Sequence, residues 1–186
     1  MSDLSKTQIG PFTLPELCRT SHREFDNTPP SEVVPRLVTL VKELLTPIIQ
    51  RWGSIWITSG YRSAKVNRAA QGSKDSAHLY GVAADIVFLG KLPATKPPNV
   101  DEVIDWLQRV QGLPIDQAID EHSTTANWLH IGMLRPDHED APRHEFLRKL
   151  PGEPFKPHPK TKGAPLLLNV GQPRQMTLPT PTPKRP

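Results

Sequence analysis

A chain of 186 residues with 36% hydrophobic and 23% charged side chains holds enough apolar material for one core, but too little to fold compactly along its whole length. Its 22 prolines point to a non-globular stretch, and its net charge of +4 (pI about 9.3) is a modest basic excess that suits an anionic partner without demanding one. A single cysteine, Cys18, excludes an internal disulfide and a thiolate zinc site, and no apolar run approaches the roughly 20 residues of a membrane span. The opening MSDLSKTQIGPFTL lacks a secretory signal, so the expectation is synthesis in the cytoplasm and action elsewhere only after release.

In chain order, FTLPEL reads as a short helix and DNTPP as turn chemistry. A helix follows, with Ser31 as its cap. Val34, Leu37, Val38, Val41, Leu44, Leu45, Ile48 and Trp52 fall at helical spacing, Pro47 should kink or divide it, and Gly53 stops it. Ser54–Thr58 reads as a buried strand. A turn-rich stretch follows to Ala77, with a short helix around Val66–Ala70, and then a second strand over Val82–Phe88. After the proline-rich loop 91–98, Asn99 caps a helix with Asp101 and Glu102 in its first turn and Gly112 beyond its end. Ile115–Glu121 and Trp128–Leu134 read as a hairpin. These elements define a domain over residues 1–150. Residues 151–186, proline-rich and basic apart from PLLLNV, read as an extended, disordered tail.

Three residues in this layout need a chemical explanation. Asp85 interrupts an apolar strand, where a carboxylate must be paired, hydrogen-bonded or metal-bound. His130 sits between apolar neighbours in WLHIGM, and His78 lies seven residues before Asp85, across Gly81 and Ala83. Two imidazoles and a carboxylate make a zinc ligand set that leaves a fourth position for water, which is hydrolytic chemistry. From residue types alone, a core histidine with a satisfied hydrogen bond stands beside that reading.

The string Ser76-Ala77-His78-Leu79-Tyr80-Gly81-Val82-Ala83-Ala84-Asp85 fits the SxHxxGxAxD signature of the zinc D-Ala-D-Ala carboxypeptidase family, and Trp128-Leu129-His130 resembles that family's WxH element. Ser59-Gly60-Tyr61-Arg62-Ser63, followed by Val66-Asn67 and preceded by FDNTPP, is similar to the branch common in phage genomes. The likeness covers roughly residues 12–134. It implies an α+β fold of the hedgehog/D-Ala-D-Ala peptidase type, an antiparallel sheet with packed helices. It further implies Zn2+ on His78, Asp85 and His130, and hydrolysis of peptidoglycan stem peptides by carboxypeptidase or endopeptidase action. Arg62 would hold a substrate carboxylate or polarise the scissile carbonyl, Ser76 would orient a ligand, and Trp128 would line the cleft.

The general base is the open point. Many relatives carry an acid three residues before the last histidine, where this chain has Asn127. The string DQAIDE resembles an element of the phage-type branch that favours Glu121. Strand parity favours Asp120 if Ile115 and Ile119 face the same core as Leu129. His122 is a candidate for stabilising an oxyanion, while His22, His138, His144 and His158 read as surface residues. The expected setting is a phage lysis enzyme freed by a holin, or one carried on a virion, and a monomer is expected. A wall-binding or structural virion module of the same fold, weak or inactive because of Asn127, is the alternative. With no reading helix and no aromatic-basic platform, no nucleic-acid partner is expected.

Overall fold

The computed structural model describes residues 7–90, 96–138 and 140–168. It opens with a two-residue hairpin, β1 (Gln8–Ile9) and β2 (Phe12–Thr13), and the short helix α1 (Leu14–Leu17). Thr13 and Glu16 close a capping box at its start. The long helical run comprises α2 (Val34–Leu40), a π-helical turn (Val41–Leu45) and α3 (Thr46–Trp52). It begins three residues after Ser31, which lies in a turn and does not cap it. Pro47 stands in the first turn of α3, which the π-helical turn divides from α2, and the helical run continues past it. Its ring would meet the carbonyl of Glu43 in a regular α-helix, and the widened turn just before it provides the room. The amide and hydroxyl of Thr46 both reach the carbonyl of Val41, five residues back. Leu37, Leu40, Val41, Leu44, Leu45 and Ile48 are buried, whereas Val38, expected on that face, is 43% exposed.

Six strands form the main sheet, in the order β3 (Ser54–Ser59), β4 (Ala83–Gly90), β7 (Asn127–Gly132), β6 (Gln117–His122), β8 (Glu145–Lys149), β9 (Lys156–Pro157). All neighbours are antiparallel except β6 and β8. The fold is therefore α+β, as expected. β3 is half-buried, with Ile55 and Ile57 inside and Trp56 46% exposed. One face of the sheet carries Ile57, Ile86, Leu129, Ile131 and Ala118 into a core shared with the helical run and α5 (Val100–Arg109). Trp52 meets Trp106 of α5 edge-on, with ring centroids 6.2 Å apart. Asn99 and Glu102 form the capping box that starts α5, as its sequence anticipates. α4 (Ala64–Ala69) follows β3, and a 3-10 turn, Ala77–Tyr80, leads into β4.

Residues 151–168 lie along the domain. β9 pairs with β8, and β10 (Leu166–Leu167, within PLLLNV) pairs in parallel with β5 (Val110–Gln111). Residues 169–186, with the disorder expected for them, and residues 91–95 of the proline-rich loop fall outside the described residues.

Candidate metal centre and cleft

The face of the sheet away from the core carries the site. Asp85 on β4 and His130 on β7 are direct cross-strand partners, so both side chains leave the sheet side by side. His78 reaches them from the 3-10 turn. Ser76 caps that turn, its hydroxyl accepting from the His78 amide at 3.4 Å. Gly81 closes it in the left-handed region at φ +71°, where an added Cβ would come within 2.6 Å of Val33.

All three side chains are buried, and their donor atoms converge. His130 Nδ1 is 2.8 Å from Asp85 Oδ1, and His78 Nε2 is 3.2 Å from each. The carbonyl of Gly60 lies 2.7 Å from His78 Nδ1 and can only accept, so that nitrogen carries the ring's proton. Burial drives His78 toward the neutral form, outweighing the pull of Asp85. Its Nε2 lone pair thus faces a carboxylate oxygen, and one proton on His130 Nδ1 cannot satisfy both. A cation can. Separations of 2.8–3.2 Å approach the edge of ~3.3 Å expected for a tetrahedron with zinc bonds of about 2.0 Å, and the donor set is one zinc accepts. These residues fit a bound metal ion.

Arg62 supports this arrangement from behind. One NH2 donates to Asp85 Oδ2 at 2.5 Å and Nε donates to Ser59 Oγ at 2.7 Å, which turns Asp85 Oδ1 toward the imidazoles. Burial opposes ionisation of Asp85, and the Arg62 guanidinium at its Oδ2 favours it. The loop bearing Arg62 is pinned twice. Its amide donates to the carbonyl of His78, and Asn27 clamps its flanks. Asn27 Nδ2 donates to the carbonyls of Cys18 and Tyr61, and its Oδ1 accepts from the Ser63 amide at 2.7 Å. The FDNTPP and SGYRS strings are thus joined in space. Gly60 is confined there, since a Cβ would sit 2.0 Å from the carbonyl oxygen of Leu17. Buried Asn67 donates to the Ser73 carbonyl and steadies the loop before Ser76.

A cleft of about 750 Å³ opens over the three donors, and Arg62, Ser76, Glu121 and Trp128 all line it. The β6–β7 register places Glu121 opposite Trp128 and Ile119 opposite His130, so Glu121 shares the His130 face. Burial raises the Glu121 carboxyl above its ordinary range against the pull of His130, Arg62 and Lys149. Asp120 does not share this face, and the parity expectation is corrected. Ile119 faces the cleft rather than the core, so Asp120 turns with Leu129 to the other side. There it accepts from Arg148 Nε at 2.8 Å. His122 shares that face, with Nε2 2.8 Å from Asp120 Oδ1 though not aligned as a hydrogen bond, and so stands away from the donors. Asn127 is exposed, on the face opposite His130. His158, expected at the surface, is 6% exposed with Nε2 2.8 Å from Asp101 Oδ1. Asp101, Asp120 and His158 also converge, but the Arg148 guanidinium already lies among them.

A family model described as Peptidase M15 matches residues 11–112, more than half of the chain. The chain belongs to the peptidase M15 family. Its members are metallopeptidases that act on peptidoglycan, and the matched segment contains Arg62, Ser76, His78 and Asp85. His130 and Glu121 lie beyond it, on the hairpin that the sheet brings alongside. No curated protein matches the sequence. No helix among the described residues is long and apolar enough to cross a membrane. Sequence reasoning missed the cleft residues Ile119, Leu147 and Phe155, and the Gly60 carbonyl. Alternation along β6 held a signal for Ile119, but nothing local marked Phe155.

Proposed function

We propose that the protein is a zinc-dependent peptidase that hydrolyses peptide bonds in the stem peptides of bacterial peptidoglycan. The observation that carries this reading is the convergence of His78, Asp85 and His130 beneath a cleft whose same sheet face presents Glu121. Zinc held there would supply Lewis acidity and make water nucleophilic at neutral pH.

The chain's own residues supply the rest. Glu121 takes the proton of the attacking water and returns it to the departing amine, a task suited to a carboxyl raised by burial. Arg62 holds Asp85 in position and turns the remaining edge of its guanidinium to the substrate carbonyl or carboxylate. Ser76 fixes the turn that delivers His78, and Trp128 forms a wall of the cleft. The catalytic domain extends beyond residue 150 to include β9, the edge strand of its sheet, and Phe155, which lines the cleft. The setting is a phage enzyme that reaches the wall after holin release or from a virion, with the basic residues of 151–186 holding it near anionic wall polymer.

The test is zinc content measured beside digestion of purified peptidoglycan, products read by mass, for the wild type and His130→Ala. One zinc per chain with new stem-peptide fragments, both lost in the variant, is the expected result. Bound zinc without fragments from several wall types would favour the wall-binding module and give Asn127 its meaning.

A further inference from the structure

The last part of the described chain, beyond the segment matched by the family model, meets the cleft without joining the core. Of residues 151–168, His158 alone is buried. Phe155, three residues before it, is 54% exposed and lines the cleft. Between them runs β9, with Pro157 opposite the cleft residue Leu147. A two-residue strand holds little by itself. What seats the segment is a row of polar side chains on α5. Asp101, Asp105 and Gln108 fall at i, i+4 and i+7, on one face of that helix, and each meets the segment. Asp101 Oδ1 lies 2.8 Å from His158 Nε2. Asp105 accepts from the Thr161 hydroxyl at 2.5 Å. Gln108 acts as a strand edge would, donating to the Pro159 carbonyl at 2.9 Å and accepting from the Thr161 amide at 2.7 Å. Arg148 on β8 closes the seat, its guanidinium 3.1 Å from His158 Nε2 and bonded to both Asp101 and Asp120. The His158 amide donates to the Phe146 carbonyl at 2.8 Å.

A buried anchor is thus joined to a wall of the cleft. The Phe155 ring is more than half exposed, so the backbone that carries it decides where it stands. The Lys149 ammonium, 5.5 Å from the ring centroid, is itself held by the Glu153 carbonyl of the same turn. Only Lys156 and Pro157 separate the ring from the seat on α5. We infer, resting on the peptidase reading above, that His158 is a positioning residue for the cleft. Seated between Asp101 and Arg148, it pins residues 155–161 to α5 and so holds the Phe155 ring against bound peptide. His158 itself touches no substrate. Without the seat, the ring must be ordered each time a peptide arrives, which weakens binding. The metal donors and Glu121 stand on β4, β6, β7 and the 3-10 turn, so the chemical step is left as it was.

The experiment uses the zinc-loaded full chain. Steady-state kinetics on soluble stem peptides are measured beside fluorine spectra of the fluorophenylalanine-labelled protein, the Phe155 line being assigned by its loss in Phe155→Leu. His158→Ala should raise KM about three- to tenfold, as expected for covering half a phenyl ring, with kcat and zinc content held. His158→Gln, whose amide reaches the place of Nε2, should restore most of the loss. Phe155→Ala should raise KM by a similar factor, and adding His158→Ala to it should raise KM no further, because both act through one ring. Gln108→Ala loosens the same seat from the helix side and carries the test if His158→Ala does not fold. A wild-type KM in His158→Ala, or effects of His158→Ala and Phe155→Ala that add, overturns the inference and leaves the peptidase reading standing. Failure of the zinc-loaded wild type to cut any stem peptide sinks the peptidase reading instead, and the fluorine spectra then decide. A Phe155 line that narrows and moves toward the free amino acid's position in His158→Ala and Gln108→Ala, and returns in His158→Gln, supports the positioning role. A line unmoved by either change overturns it.

Discussion

Glu121 and Asp120 are adjacent in sequence and opposite in consequence, which makes Glu121→Gln and Asp120→Asn a matched pair. Glu121 lies on the donor face but outside the converging set, so Glu121→Gln should retain one metal ion per chain and the wild-type melting temperature. The amide can neither take a proton from water nor return one to an amine. The expected loss in kcat is about 10²- to 10⁴-fold, or roughly 3–5 kcal/mol of barrier. Asp120→Asn should behave in reverse. Its side chain is 3% exposed and bonded to Arg148, so the change leaves a guanidinium short of a charge partner. Breaking a fully buried pair costs about 3–5 kcal/mol, but Arg148 is partly exposed and keeps Asp101, so about 1–3 kcal/mol of stability is the expected loss. The assay is stem-peptide digestion followed by mass, with metal content and thermal melting measured on the same preparations. Undiminished kcat in Glu121→Gln, or a hundredfold drop in Asp120→Asn that remains folded and metal-loaded, would refute the reasoning from strand register.

Arg62→Met removes the donor that orients Asp85, and metal affinity measured against a chromophoric chelator should fall about 10- to 100-fold; an unchanged Kd would mean that Asp85 needs no such support. Asp116 is buried, which opposes its ionisation, but hydrogen bonds from Arg143 prevail and hold its carboxyl below the usual aspartate range. A depressed folded-state pKa contributes stability above the unfolded value that is lost as pH falls through the folded one. The gap in melting temperature between wild type and Arg143→Ala should therefore be full near pH 6 and shrink below about pH 4; a gap constant down to pH 2 contradicts this. Burial pushes the Cys18 thiol up to about 12, so iodoacetamide at pH 8 should label the native chain far more slowly than the denatured one, and equal rates would count against a packed thiol.

Much of the site was legible because its signals are local. His78 and Asp85 occupy one turn and the strand that follows, so their spacing in sequence is their spacing in space. His130 was visible as an imidazole in an apolar strand. The choice between Glu121 and Asp120 was not legible from parity, because that argument assumed Ile119 belonged to the core. β6 starts only at Gln117, so Ile115 sets no register for it, and Ile119 faces the cleft between His130 and Leu147. The helical periodicity located the run from Val34 to Trp52, but it could not anticipate that the division ahead of Pro47 would take the form of a widened turn. Composition described residues 151–168 as tail-like, and they are poor in core residues. Their placement rests on partners far away in sequence, such as Asp101 for His158 and Val110 for Leu166, which no local pattern encodes.

The Asn27 clamp bears on how small a working fragment of this protein can be. A side chain 36 residues upstream ties the loop that carries Arg62 to a turn that looks like mere lead-in. A truncation that starts at the long helix would keep His78, Asp85 and His130 and still free the arginine loop. The smallest competent fragment must therefore begin before Asp26. In amide hydrogen exchange, residues 26–28 and 60–63 should open together as one unit, although no helix or strand joins them.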